Sequence, residues 1–126
     1  MKQKILIIED DTNIRENVAE ILSLHGFNIS VAKNGITGIE KAINEMPQLI
    51  FCDILMPEKN GFQVLTALKE NPETCHIPIV FLTSCAQKND IEKGQLAGVD
   101  HYITKPFHTQ QLLDTIKKVS HEIRFS

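Results

Sequence analysis

Lys4-Ile5-Leu6-Ile7-Ile8-Glu9-Asp10-Asp11 is an apolar, largely β-branched run that stops abruptly at three carboxylates. Five residues is strand length, and an unbroken apolar run is what a strand covered on both faces requires. Directly downstream, Ile14, Val18, Ile21 and Leu22 recur at helical spacing until His25-Gly26 stops the pattern. A doubly buried strand feeding an amphipathic helix is half of a βαβ unit, so the next step is to see whether the unit recurs.

It recurs along the whole chain. Phe27 to Val31 is a second short run, with Asn34-Gly35 as a turn, and Ile36, Ile39 and Ile43 make a second helical face closed by Pro47. Leu49-Ile50-Phe51-Cys52 is a third strand, followed by a helix marked by Phe62, Leu65 and Leu68 that ends before Pro72. Pro78 to Leu82 is a fourth strand, and a more polar helix runs from about Lys88 to Ala97, stopped by Gly98. His101 to Thr104 is a short fifth strand, and Leu112, Leu113, Ile116 and Val119 line a last helix. Five strands alternating with five helices predict an α/β domain whose parallel sheet is covered on both faces and doubly wound.

Size and composition agree with that reading. The 126 residues amount to one domain, 1–126, too few for a (β/α)₈ barrel, and the composition, 42% hydrophobic and 23% charged, is that of a folded domain with a sizeable core. The net charge of −3 argues against a dedicated nucleic-acid or membrane-surface binder. No apolar run is long enough to span a bilayer and no signal peptide opens the chain, so a cytoplasmic protein is expected. Cys52, Cys75 and Cys85 form no CxxC pair and no zinc-like spacing, which predicts reduced thiols, with Cys52 as a small core residue.

In open parallel sheets, ligands bind beyond the carboxyl ends of the strands. There the chain places Glu9, Asp10 and Asp11 after the first strand, Asp53 after the third, Thr83 and Ser84 after the fourth, and Lys105 after the fifth. Each has an ordinary structural explanation. Asp11 or Thr12 suits a helix cap, which is preferred to direct chemistry for both, and Asp53 could open a turn with Pro57. The conjunction of the others is harder to dismiss. Carboxylates converging on one rim repel unless a cation or proton intervenes, and an all-oxygen set suits Mg²⁺ better than zinc. With a lysine and a hydroxyl beside them, these groups fit phosphoryl transfer, with Asp53 as the nucleophile.

Four separated motifs carry a resemblance: Ile8-Glu9-Asp10-Asp11, Cys52-Asp53-Ile54-Leu55-Met56-Pro57 with Asn60-Gly61, Phe81-Leu82-Thr83-Ser84, and Tyr102-Ile103-Thr104-Lys105-Pro106-Phe107. In that order and spacing, the chain resembles the receiver domain of two-component response regulators over nearly its whole length. The resemblance implies a flavodoxin-like (βα)₅ three-layer sandwich with strand order 2-1-3-4-5. It implies Asp53 as phosphoacceptor and Mg²⁺, with Mn²⁺ able to substitute, held by Asp10 directly, by Glu9 through water, by Asp53 and by the backbone carbonyl of Leu55. Thr83 and Lys105 would bind phosphoryl oxygens, Lys105-Pro106 would be cis, and Tyr102 would be the aromatic switch residue that turns inward as Thr83 moves. Glu9 stands where aspartate is common.

The function so implied is a phosphorylation-activated signalling switch, a regulatory phosphoacceptor and not a dedicated enzyme. A sensor histidine kinase or phosphotransfer protein would be the donor. The face made by the fourth helix, fifth strand and fifth helix would control a partner or output domain, without nucleic-acid or membrane contact by this domain. Leu55 and Cys85 lie two residues beyond Asp53 and Thr83, and neither can orient an attacking water strongly, which predicts a long-lived phosphoryl state. An aspartyl-phosphate hydrolase is disfavoured because Leu55 replaces the second carboxylate such enzymes need. An FMN carrier is disfavoured by acids where a phosphate loop should follow the first strand. A receiver fold that works without phosphorylation remains a further reading.

Overall fold

The computed structural model describes residues 3–83 and 98–124, with side chains for 3–82 and 98–120. Five parallel strands, β1 (Lys4–Ile8), β2 (Asn28–Ala32), β3 (Leu49–Asp53), β4 (Ile79–Thr83) and β5 (His101–Thr104), lie in the order β2-β1-β3-β4-β5. The described helices are α1 (Thr12–Leu24), α2 (Gly35–Glu45), α3 (Gly61–Glu70) and α4 (Thr109–Arg124). The helical pattern expected between Lys88 and Ala97 lies outside the described residues, as do Ser84 and Cys85.

The central strands β1, β3 and β4 are almost wholly apolar because each face of the sheet has its own core, whereas the edge strands β2 and β5 carry exposed polar residues such as Asn28 and Thr104. Ile5, Ile7, Leu49, Phe51, Val80 and Leu82 point to one side, where Val18 and Leu22 of α1 and Leu112, Ile116 and Val119 of α4 cover them. Their alternate neighbours Leu6, Ile8, Ile50, Cys52, Ile79 and Phe81 point to the other, under Ala42 of α2 and Val64, Leu65 and Leu68 of α3. The period-2 alternation of a strand thus fills two layers at once. Cys52 is the small buried residue expected of it.

One helical face departs from expectation. Of the α2 isoleucines Ile39 packs against the core, but Ile36 and Ile43 are 42% and 37% exposed, and Gly35, Gly38 and Ala42 form the fully buried side instead. The cause is close approach. A Cβ on Gly38 would sit 2.5 Å from Ile8 Cδ1, so α2 packs on the sheet through its smallest residues. Asn34-Gly35 is likewise a helix start and not a free turn, since the Asn34 side chain accepts the Thr37 N–H at 2.8 Å. β2, β3 and β4 each begin or end one residue later than the apolar runs suggest.

At the carboxyl ends, strand order decides what meets. The chain crosses from β1 outward to β2 and back over to β3, so β1 and β3 are neighbours from which the connections leave to opposite faces. Such a switch point leaves a crevice beyond the strand ends. The register aligns Ile8 with Cys52, Asp53 with Leu82 and Thr83 with Thr104. Glu9, Asp53, Thr83 and Lys105 therefore succeed one another along a single rim.

Candidate functional site

The acidic turn after β1 is built by its own backbone. Glu9 N–H continues the sheet by donating to Ala32 O at 3.0 Å, which carries the glutamate one step past the strand and into the crevice. Asp11 is the N-cap of α1, its Oδ1 accepting the Ile14 N–H at 3.0 Å, as preferred for it from sequence. Thr12 opens the helix. The Asp11 N–H also donates to Glu9 Oε2 at 3.3 Å, and Arg15 Nη1 donates to Glu9 O at 2.9 Å. Asp10 alone of this turn's first two acids faces solvent.

Asp53 is the last residue of β3 and is 6% exposed, held in place from behind by α3. Gly61 opens that helix, its N–H donating to Ile54 O at 2.8 Å. It has to be glycine: a Cβ there would lie 2.6 Å from Asp53 O and 2.8 Å from Ile54 Cα, both backbone atoms with nowhere to go. A capping box between Asn60 and Gln63 fixes the same start. The Cys52 thiol donates to Asp53 O at 3.3 Å, and burial pushes its pKa far up, so it behaves as a core residue and not a nucleophile.

One carboxylate oxygen each from Glu9, Asp10 and Asp53 lies within 4.8 Å of the other two. Lys105, which directly follows β5 and precedes Pro106 through a cis peptide bond, reaches this cluster with a side chain only 15% exposed. Its Nζ is 2.7 Å from Glu9 Oε1 and 3.6 Å from Asp53 Oδ2. One ammonium thus faces three carboxylates. The imbalance shows in proton affinity. Burial pushes the Glu9 carboxyl above the ordinary glutamate range, the Asp53 carboxyl adds to the rise, and Lys105 opposes it. Asp10, though exposed, is raised as well, by partial desolvation first and by Glu9 second. An oxygen-only set of this kind, one ligand open to water, fits a hard divalent cation of the Mg²⁺ type.

The sequence-expected residues thus converge: Glu9, Asp10, Asp53 and Lys105 share the crevice. Leu55 follows on the loop beyond Asp53 with its side chain 58% exposed. Thr83 ends β4 beside Thr104, and its side chain lies outside what the structure describes. Tyr102 is on β5 and 38% exposed, on the sheet edge. An open groove of about 460 Å³ adjoins the site, lined by Ile14, Asn17, Lys105, Pro106 and Phe107. Sequence reasoning missed Arg15, whose bond to a backbone carbonyl leaves no pattern in the residue string, and gave Gly61 no role although it stands in one of the motifs.

Fold and rim together define a flavodoxin-like α/β domain with an acidic, lysine-bridged pocket at its switch point. The family model for the response regulator receiver domain matches residues 5–117. The chain is 35% identical over 114 residues to the DNA-binding dual master transcriptional regulator RpaA of Synechocystis sp., covering 90% of this chain and 47% of RpaA. It is 33% identical over 114 residues to Protein PilG of Pseudomonas aeruginosa, covering 90% of this chain and 84% of PilG. Among solved structures, a CheY-like response regulator receiver domain protein from Methanospirillum hungatei superposes with a TM-score of 0.92 at 28% identity, over 98% of both chains. The chain belongs to the response regulator receiver domain family of two-component systems. It spans about half the length of relatives such as RpaA. Members of this family are regulatory phosphoacceptors, and their acidic pocket generally binds Mg²⁺. No described helix is long and apolar enough to cross a membrane.

Proposed function

We propose that this chain is a phosphorylation-controlled switch in which Asp53 accepts a phosphoryl group from a sensor histidine kinase or phosphotransfer protein. The observation that carries the reading is Asp53 itself: a carboxylate at the end of a central strand, with two further carboxylates in ligand distance and Lys105 Nζ at 3.6 Å. A carboxylate oxygen of Asp53 attacks phosphorus in line as the donor's P–N bond breaks, and the electron pair of that bond returns to the donor imidazole. Lys105, already beside Asp53 Oδ2, pairs with a phosphoryl oxygen, and the Thr83 hydroxyl donates to another. Glu9, Asp10, Asp53 and the Leu55 carbonyl would hold Mg²⁺, with Mn²⁺ as substitute. Bound there, the cation supplies neutralising charge for the carboxylates and the incoming phosphoryl oxygens. The groove beside Lys105 gives the donor a surface against which to align its phosphoryl group.

The added charge of about −2 draws Thr83 and Lys105 inward, and Tyr102 follows to repack the face formed by the segment before β5, β5 and α4. A downstream partner or output domain reads that face. The domain is regulatory and acts in the cytoplasm. Leu55 beside the acceptor, and Cys85 in the segment that follows β4, offer an attacking water no strong hydrogen bond, so the phosphoryl group is long-lived without a phosphatase. Combining Leu55→Asn with Cys85→Glu shortens its half-life; an unchanged decay rate counts against this part.

The deciding test is intact mass spectrometry after incubation with acetyl phosphate and Mg²⁺. The wild-type chain gains one phosphoryl group, whereas Asp53→Asn and a chelated wild-type sample gain none. Labelling of Asp53→Asn at the wild-type level would remove the acceptor assignment.

A further inference from the structure

Arg15 lies in the first turn of α1, directly after the acidic turn, and, among the described residues, makes no ion pair with the three clustered carboxylates. A guanidinium near carboxylates ordinarily forms charge-assisted, often bidentate pairs. Here its described side-chain bond goes to a neutral acceptor, Glu9 O, at 2.9 Å. That oxygen belongs to the peptide plane joining Glu9 to Asp10. Holding that plane, with the strand on one side and the helix start on the other, restricts the directions in which both acidic side chains leave the backbone.

The rest of the turn depends on the same bond. Glu9 N–H is tied to Ala32 O, so the strand side of the residue is already held. Arg15 N–H donates to Asp11 O at 2.9 Å, closing the first turn of α1, and its side chain then returns to Glu9. Arg15 thereby clasps the acidic turn from both sides. We infer that Arg15 is a positioning residue for the cation site, setting the Glu9–Asp10 peptide and hence the geometry of two of its three carboxylates.

The inference rests on the proposed cation-binding role of this pocket, and charge alone provides its sharpest alternative. A positive charge near a bound cation repels it, so if Arg15 acted only through its field, removing it would tighten binding. If it acts by holding the peptide, removing it loosens binding. Residues that orient ligands without touching the metal typically change affinity by about tenfold or more.

The experiment is calorimetric titration of Mg²⁺ into the whole chain, wild type beside Arg15→Met and Arg15→Lys, with circular dichroism to confirm that each is folded. Arg15→Met keeps the apolar stem and loses the donor; its Mg²⁺ affinity falls about tenfold. Arg15→Lys keeps the charge without the planar fork and falls in between. Labelling by acetyl phosphate shows the same split: the Mg²⁺ concentration for half-maximal rate rises, and the rate at saturating Mg²⁺ stays within about twofold of wild type. Equal or tighter Mg²⁺ binding in Arg15→Met overturns the inference, as does wild-type affinity in Arg15→Lys should the methionine variant not fold. No Mg²⁺ binding by the wild type would instead strike the underlying reading of the pocket.

Discussion

Two lysines, one at each end of the sheet, face opposite electrostatic situations. Lys69, near the amino end of β4, lies 3.7 Å from Asp100 Oδ2 and donates to Cys75 O and Ile77 O at 3.3 and 3.2 Å, while the same Asp100 oxygen accepts the Ile79 N–H at 2.8 Å. One cation, one anion and backbone dipoles balance there, and water screens what is left over. Lys105, beyond the carboxyl end of β5, meets a buried glutamate and a buried aspartate with Asp10 close by. The amino end is finished as a structure. At the carboxyl end three carboxylates face one ammonium, and that excess of negative charge is what supports the proposed cation-binding role.

If the comparison holds, removing a carboxylate has opposite consequences at the two ends. The largest effect belongs to Lys105→Met, which leaves buried Glu9 beside Asp53 and Asp10 without its cation. The metal-free protein loses about 2 kcal/mol of stability near neutral pH, read from urea unfolding, less than a rigid buried pair because Glu9 can take up a proton. Next is Asp53→Asn, which relieves crowding: in EDTA it raises stability by about 1 kcal/mol, and a fall instead would mean that the cluster is already balanced.

The pH profile follows in size. Glu9 and Asp10 both have raised affinities for protons in the folded chain, Asp10 counting for less because it is exposed. The folded state therefore binds protons more tightly than the unfolded state. This contributes stability below the ordinary carboxylate range, and the contribution is lost as pH climbs through the raised values. In EDTA the thermal midpoint falls as pH rises above the ordinary carboxylate range, and saturating Mg²⁺ removes the fall. A flat profile in EDTA breaks the account. Smallest are the changes at the amino end. Asp100→Ala costs less than about 1 kcal/mol, mostly through the unpaired Ile79 N–H, and Lys4→Met, which loses the half-exposed pair with Glu45, less than about 0.5 kcal/mol. Neither alters acetyl phosphate labelling.

How far the residue string discloses this molecule differs by element. The central strands were readable because two-sided burial leaves almost no polar position, and β1 runs from Lys4 to Ile8 as its composition says. The rim acids and Lys105 were readable because a charge directly after an apolar strand has few places to go. α2 was misjudged on its face. Hydrophobic periodicity scores bulk, whereas Gly35, Gly38 and Ala42 are buried for lack of it. Arg15 was silent for a different reason: a side chain that serves a backbone carbonyl needs no complementary residue type in the sequence.

The contact between Gly38 and Ile8 also sets how this domain can change over time. With no room for even one carbon between helix and strand, α2 has a single allowed roll about its axis, and its inner surface admits almost no substitution in size. Its outer isoleucines are free to drift, but the helix cannot gain or lose a residue before its midpoint, since that would rotate bulk into the sheet. On this flank the domain is permissive about identity and strict about length.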